Sequence, residues 1–380
     1  MARSWARYAS VLSFVVALVG FGSAGLFGVT GLEENGATGH ANEPSVPVDA
    51  KKVEGHQKCV DCHQVELKSW LMSKHSHLAF DLLRTAPTAR QYAEKLGIKT
   101  QDIASKSVCI KCHGTAVEDF TGRRVIAGVS CEACHNPSGG ESGWLNIHAI
   151  YGSRASKRQD ETKSHYQARA NGCRKAGQLR SSDLYALAKR CFACHVVDDE
   201  QLAEAGHDHG DKFELVSKML DDKVRHNFML DPTSNAEVAT LWLQSRQVPA
   251  GRTAQGRKRV MFVVGQLVDA EISLSNLAKA TEENDFTDIM IDRVEDVLEL
   301  LSEDLLDELE ETELPSIEGF VTAVEPVWEK LDDDGFDSED RHLYLETAKA
   351  IAIIATNFAN RDGSTLAELD ELFDELEPAE

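Results

Sequence analysis

Cys59-Val60-Asp61-Cys62-His63 is the first of four copies of one pentapeptide, and these copies decide the architecture of the chain. Each copy reads Cys-x-x-Cys-His, with two thiols three positions apart and an imidazole directly after the second thiol. The other copies are residues 109–113, 131–135 and 191–195. Of the nine cysteines in the 380 residues, only Cys173 lies outside these copies.

This pattern is the attachment signature of c-type haem, in which two thiols add to the two vinyl groups and the histidine binds the iron. Zinc ribbons also use Cys-x-x-Cys pairs, but two pairs make one site and the histidines would be redundant. The sequence therefore predicts four covalently attached haem c groups, and it predicts Cys173 to be a buried or half-buried thiol. The predicted attachment cysteines are Cys59, Cys62, Cys109, Cys112, Cys131, Cys134, Cys191 and Cys194, and the predicted proximal iron ligands are His63, His113, His135 and His195.

The N-terminus carries an export signal. An uncharged stretch over residues 11–32 follows Arg3 and Arg7 and ends at Glu33. Its length lies between that of a signal-peptide core and that of a membrane span. Residues 1–32 are therefore predicted to be a signal peptide or an N-terminal membrane anchor, and both alternatives stay open. Either one places the rest of the chain in the periplasm or an equivalent exported compartment, soluble or tethered through residues 11–32.

Composition divides the remaining chain into three parts. Residues 33–52 form a linker without apolar periodicity, residues 53–240 form a haem-cored domain, and residues 241–380 form an α-helical bundle without haem. The predicted fold class is therefore mainly α. Helical patterns in the haem-cored domain cover residues 65–83, 87–96, 184–195 and 213–224, and those in the bundle begin at Val260 and continue over residues 289–309, 317–331, 341–358 and 366–376.

The net charge changes sign between the haem-cored domain and the bundle. Residues 261–380 carry 35 acidic and 6 basic side chains, a net charge of −29, whereas the rest of the chain carries +6. This balance excludes nucleic acid as a partner. The acidic surface could simply keep an exported protein soluble, or it could dock a basic redox protein, because charged faces steer redox partners.

Histidines outside the four motifs are the candidates for the second, distal iron ligands. His75 and His77 follow Trp70 on the segment after the first motif, His148 follows the third motif, and His226 lies near the end of the predicted 213–224 helix. The complete set before the bundle is His40, His56, His75, His77, His148, His165, His207, His209 and His226.

The motif region resembles the tetrahaem cytochrome c-554 family, known from ammonia-oxidising bacteria. The resemblance covers about residues 55–230 and stops before the bundle. The resemblance rests on four segments of the sequence. They are the first motif with Ser69-Trp70 and Lys74-His75, Gly128-Val129-Ser130-Cys131-Glu132-Ala133-Cys134-His135, Arg190-Cys191-Phe192-Ala193-Cys194-His195, and His226.

The resemblance implies closely stacked haems and a particular set of ligands. By this resemblance His75 would serve the fourth haem, His148 the first and His226 the third. The second haem, on His113, is five-coordinate in the founding member of the family. His77 remains an alternative to His75, and the second haem could instead be capped by His165, His207 or His209.

Two functions fit these features. The first is an exported electron-transfer protein that moves electrons between redox protein partners through closely spaced haems. The alternative is an enzyme that acts on nitric oxide, hydroxylamine or a similar small molecule at an open five-coordinate haem. No arrangement of catalytic side chains is recognisable in the sequence, so the electron carrier is preferred.

Overall fold

The computed structural model describes residues 48–105, 108–151, 160–180, 182–210, 213–220, 254–304 and 314–375. The predicted signal or anchor, most of the linker, His226 and the domain boundary at residue 240 lie outside these residues. Within the described residues the chain is mainly helical, which confirms the predicted fold class.

The motif region is built from short helices, with 3₁₀ turns at Ala50–Lys52 and Thr100–Asp102. In chain order the α-helices are α1 (Gln57–Val60), α2 (Gln64–Met72), α3 (Leu78–Thr85), α4 (Pro87–Lys95), α5 (Ile110–His113), α6 (Cys131–His135), α7 (Leu145–His148), α8 (Lys163–Lys175), α9 (Leu184–His195), α10 (Glu200–Glu204) and α11 (Leu215–Leu220). Helices α4 and α9 confirm the predicted helices at 87–96 and 184–195, and α11 covers the described part of the 213–224 helix.

A β-hairpin, which the sequence did not predict, separates the second and third motifs. Strands β1 (Thr115–Asp119) and β2 (Gly122–Ala127) pair antiparallel, and Gly122 adopts φ +106° at the turn. Glycine tolerates this left-handed conformation without steric cost. The hairpin returns the chain to the start of β1, where the Thr115 hydroxyl donates to the Gly128 carbonyl at 2.7 Å and accepts from the Ser130 N–H at 3.0 Å, directly before the third motif.

The single helix predicted over residues 65–83 is wrong in its continuity, because the chain forms α2 and α3 with a break between them. Ser73 is extended (ψ 155°), and its hydroxyl donates to the Trp70 carbonyl at 2.7 Å. The Ser76 hydroxyl donates to the Ser73 carbonyl at 3.0 Å. Serine side chains that bond the nearby backbone in this way compete with helix continuation. The break changes the direction of the chain before His75.

The bundle region confirms the predicted helical stretches with shifted ends. Helix α13 (Asp285–Glu299) begins at a capping box, in which the Asn284 side chain accepts from the Thr287 N–H and the Thr287 hydroxyl accepts from the Asn284 N–H. A π-helical turn, Leu300–Asp304, follows α13, and a 3₁₀ turn, Ser338–Asp340, precedes α15 (Arg341–Phe358). The α-helices are α12 (Ala254–Leu277), α13 (Asp285–Glu299), α14 (Leu314–Asp334), α15 (Arg341–Phe358) and α16 (Leu369–Glu375).

Helix α12 is the centre of this bundle and packs against α9, α13 and α15. Apolar residues recur along it at helical spacing, and all but the half-buried Ile272 are fully buried, namely Val260, Val263, Val264, Leu267, Val268, Leu274 and Leu277. Within the described residues, Gln255–Leu277 is the one helix long and apolar enough to span a bilayer, with a mean hydropathy of 1.3. The protein itself buries 83 % of that apolar window, as is usual for the core helix of a bundle.

Candidate functional site

The four motifs lie at helical turns that present their thiols on one side. In the first and second motifs the histidine N–H donates to the carbonyl of the first cysteine, at 3.0 Å for His63 to Cys59 and 3.0 Å for His113 to Cys109. Residues three apart on a helical turn share a face. Each pair of thiols can therefore reach the same cofactor, and the histidine that follows could supply a ligand to its iron.

The motifs are themselves close to one another. The thiols of Cys59 and Cys131 are hydrogen-bonded, which raises the pKa of Cys59 and lowers that of Cys131. The thiols of Cys112 and Cys194 make the same kind of pair, with the pKa of Cys112 raised and that of Cys194 lowered. Cys134 is buried near Cys194, and burial raises its pKa to about 11. The first motif therefore lies beside the third, and the second lies beside the fourth. The proximity of Cys134 in the third motif to Cys194 in the fourth joins the two pairs.

Two of the predicted ligand pairs face each other across these motifs. The ring centres of His63 and His148 are 5.8 Å apart, with the rings 26° from parallel. The ring centres of His75 and His195 are also 5.8 Å apart. His77, the alternative to His75, is exposed, and its Nδ1 lies 2.7 Å from the hydroxyl of Ser76.

The second motif also has an imidazole opposite its histidine. The ring centre of His207 is 6.1 Å from that of His113, at an interplanar angle of 74°. Of the other two candidates for this position, His165 is bonded to an acidic side chain, through Nδ1 to Glu161 at 2.7 Å, and the backbone carbonyl of His209 accepts from the Val197 N–H at 3.4 Å.

These separations fit an iron between each pair of rings. A metal–imidazole nitrogen bond is about 2 Å long, and the ring centre lies roughly 1 Å further away, so two imidazoles on opposite sides of one iron have centres about 6 Å apart. Rings without a metal between them lie both closer, as the 4.2 Å between His195 and Phe213 shows, and at a similar separation, as the 5.8 Å between Tyr92 and His207 shows. The residues present therefore fit haem iron at three of the four motifs.

The motif histidines are oriented by partners that the sequence did not reveal. The Nδ1 atom of His113 lies 2.9 Å from the carbonyl oxygen of Ala79, and that of His135 lies 2.8 Å from the carbonyl oxygen of Leu179. His63 Nδ1 lies 3.5 Å from the Glu66 carboxylate. Donation from Nδ1 to such an acceptor leaves Nε2 for the metal, which is the usual arrangement of metal-binding histidines. These partners come from elsewhere in the tertiary structure or from a neighbouring turn, so no motif marks them.

His148 is held by a buried ion pair. The Arg169 guanidinium donates to the His148 carbonyl at 2.6 Å and makes two bonds to Glu161, at 2.8 and 2.7 Å. Arg169 lowers the pKa of Glu161 to about 2. Burial lowers the pKa of the His148 imidazole to about 3, so the ring is neutral at physiological pH. Neutral imidazole is the form that binds a metal ion.

An apolar cleft with a cavity volume of about 50 Å³ lies between the first and third motifs. His56, Cys59, His63, Trp70 and Cys131 are among its lining residues. The predicted distal ligand of the third motif, His226, lies outside the described residues. Cys173 takes no part in the cleft, and it is fully buried, as expected for a lone apolar thiol.

Comparison with known families identifies the first three motifs. Residues 58–136 match the family described as cytochrome c554 and c-prime. The match includes the first, second and third motifs and the segment with Trp70 and His75, and it ends before the fourth motif and the bundle. Comparison with curated proteins and with solved structures gave no match. This match confirms, over residues 58–136, the family resemblance that the sequence indicated.

Proposed function

We propose that the protein is an exported tetrahaem c-type cytochrome that transfers electrons between redox protein partners. The observation that carries this proposal is the opposed pairing of imidazoles, His63 with His148 and His75 with His195, at centre separations of 5.8 Å. Iron with two histidine ligands has no open coordination position and suits electron transfer rather than substrate chemistry. The bound haems supply the redox centres, and the chain supplies their attachment, ligands and spacing.

Contact between motifs supports a continuous path for electrons. The thiol pairs join first to third motif and second to fourth, and Cys134 lies beside Cys194 between the two pairs. Haems attached at these cysteines would follow one another in the order first, third, fourth and second. An electron entering at one end of this series could leave at the other, because each haem edge would lie close to the next.

The protein also controls the environment of the iron ligands. Burial keeps His148 and His195 neutral, with the pKa of His195 lowered to about 4. Carbonyl acceptors on Nδ1 of His113 and His135 fix the orientation of these rings and increase their basicity toward a metal. Ligand identity, hydrogen bonding and burial are the properties through which a protein sets haem potential.

Partners and location follow from charge and chemistry. Covalent haem attachment is completed outside the cytoplasm, and residues 1–32 have the composition of an export signal or anchor. The net charge of −29 over residues 261–380 would steer a basic redox protein toward the bundle. Raising the ionic strength should slow electron transfer to such a partner.

The haem content of the mature protein tests this function. Holo-protein made with a c-type maturation system should contain four haems per chain, by pyridine haemochrome and by intact mass. Dithionite should reduce all four, and a partner should reoxidise them without consuming hydroxylamine or nitric oxide. Cys191→Ser with Cys194→Ser should remove one haem, whereas the matched control Cys173→Ser should retain four. Fewer than four haems in the unmodified chain, or catalytic turnover of those small molecules, would contradict the proposal.

A further inference from the structure

We infer that His207 is the distal iron ligand of the haem at the second motif, and that the acidic bundle holds it there through Arg293. This rests on the proposed function, since it requires haem at Cys109 and Cys112. It assigns a ligand where the family resemblance implies an open, five-coordinate iron. The second haem would then be closed to small molecules.

The geometry of His207 matches that of the other two imidazole pairs. Its ring centre lies 6.1 Å from that of His113, close to the 5.8 Å of the pairs His63–His148 and His75–His195. Its Nδ1 lies 2.7 Å from the carbonyl oxygen of Asp208, which can only accept. Nδ1 therefore carries the proton and Nε2 is left for a metal, as in other metal-binding histidines.

The loop that carries His207 has a fixed backbone. The His207 N–H donates to the Leu202 carbonyl at 3.1 Å, and the Asp208 carboxylate accepts from the Gly210 N–H at 2.8 Å. Gly210 adopts φ +76°, and a Cβ atom there would lie 1.6 Å from the His195 carbonyl oxygen. Only glycine allows the loop to approach the fourth motif this closely. The loop is thus seated on the chain that carries the neighbouring haem.

Arg293 of helix α13 ties this loop to the bundle. Its guanidinium donates to the Gly210 carbonyl at 2.7 Å and makes two bonds to Asp269 of helix α12, at 2.8 and 2.7 Å. The Arg293 side chain is 4 % exposed, so these bonds are shielded from water. A buried arginine with planar, paired bonds fixes its partners in one geometry. The bundle therefore braces the loop through the Gly210 carbonyl.

Nearby contacts strengthen the same junction. The side-chain amide of Asn276, on helix α12, lies 3.4 Å from the Val197 carbonyl and can donate to it. Lys95 donates to the Ala205 carbonyl at 2.8 Å, just before the loop. The ring centre of Tyr92 lies 5.8 Å from that of His207. The loop is therefore held between helix α4 of the motif region and helices α12 and α13 of the bundle.

Substitution of His207 in the holo-protein tests the ligand. Unmodified protein should show only low-spin ferric signals in electron paramagnetic resonance, and its reduced form should bind no carbon monoxide. His207→Gly should convert one haem in four to high spin and bind about one carbon monoxide per chain. Added imidazole should restore the low-spin signal. His342→Ala, which removes an exposed bundle histidine beside Glu346, is the matched control and should resemble the unmodified protein.

Substitution of Arg293 tests the brace. Arg293→Lys keeps a positive charge beside Asp269 but loses the planar reach to Gly210, so part of the second haem should become high spin at unchanged haem content. Arg293→Ala should increase that fraction. Lys330→Ala, which removes an exposed pair with Asp340 in the same bundle, should leave the spectrum unchanged. If Arg293→Ala keeps four haems and remains fully low spin, the bundle does not hold the ligand.

Different results would overturn the assignment of His207 and the proposed tetrahaem function. Four haems with a high-spin, carbon-monoxide-binding centre that is the same in the unmodified protein and in His207→Gly would overturn the assignment of His207 and leave the tetrahaem carrier intact. A His207→Gly variant that remains entirely low spin would do the same. A mature protein without haem at the second motif, shown by peptide mass analysis, would overturn the tetrahaem function itself.

Discussion

The motif region and the bundle are stabilised in different ways. The bundle buries a large apolar cluster centred on α12, with Phe320, Tyr344 and Phe358 fully buried. The motif region has a separate, much smaller cluster, made of Ala50, Leu83, Ala93, Ile103, Ile110 and Ala116. A segment of this length with so few buried apolar side chains is poorly stabilised by burial alone. Side chains fill the core of the bundle, and the proposed haems would complete the core of the motif region.

Helix α9 belongs to both regions. Leu184, Ala188 and Phe192 are buried in the bundle cluster, while the fourth motif occupies the last turn of the same helix. Glu271 of α12 accepts from the Tyr185 hydroxyl at 2.9 Å and from the Lys189 ammonium at 2.7 Å. The two regions therefore share a helix, and the bundle has a direct structural connection to the haem sites.

Removing the haems should have the largest effect, because it should destabilise the motif region and leave the bundle folded. If the eight motif cysteines are replaced by serine, residues 48–180 should lose most of their slow amide exchange, because their small apolar cluster cannot replace the cofactors. Residues 254–375 should keep theirs, and protection should extend back to Leu184 because α9 packs on α12. Hydrogen exchange with mass spectrometry measures both, with Cys173→Ser as the control. Equal loss of protection in the two regions would show that the bundle also depends on haem.

The next largest effect is expected at Arg169 in the motif region. Arg169→Ala leaves the buried Glu161 carboxylate without its partner and should lower the free energy of unfolding of the holo-protein by about 3–5 kcal/mol. The same variant should alter the low-spin signal of the first haem, because Arg169 also bonds the His148 carbonyl. Arg124→Ala breaks an exposed pair with Asp119 and should cost at most about 1 kcal/mol. Denaturant unfolding provides the comparison.

Lowering the pH should weaken the same ion pair between Arg169 and Glu161. Arg169 lowers the pKa of Glu161 from 4.5 to about 2, so the pair stabilises the fold above pH 4.5 and loses that contribution as the pH falls toward 2. The stability difference between unmodified protein and Arg169→Ala should therefore shrink over this interval. A difference that stays constant with pH would show that Arg169 acts through packing alone.

The smallest expected effect on stability is a difference between two isoleucines on one bundle helix. Ile351 is fully buried and Ile353 is 60 % exposed on α15. Ile351→Ala should lower the free energy of unfolding by about 2–5 kcal/mol, through lost burial and the cavity left behind. Ile353→Ala should change it by no more than about 0.5 kcal/mol. Neither variant should change haem content or spin state, and a spectral change in Ile351→Ala would indicate coupling from the bundle core to the haems.

Local patterns predicted much of this molecule. Apolar spacing identified the bundle helices, including the one that begins at Val260, because a helical period of 3.6 is written directly in the chain. The break at Ser73 was missed, because it depends on serine hydroxyls bonding the backbone and on Trp70 donating to the Val129 carbonyl 59 residues away. The hairpin at 115–127 was missed because its signal is short. The carbonyl partners of His113 and His135 were missed for a related reason, since each comes from a distant segment.

By itself, the sequence predicted the haem chemistry, because thioether attachment needs two thiols and a histidine at fixed spacing, and four motifs meet that condition. It also determined the helical bundle and its negative charge. Only the tertiary structure brought His207 to His113 and placed Arg293 behind its loop. Distal ligands have no fixed spacing from their motifs, since they depend on which segments the fold brings together. That dependence is why the second haem could not be assigned from the chain alone.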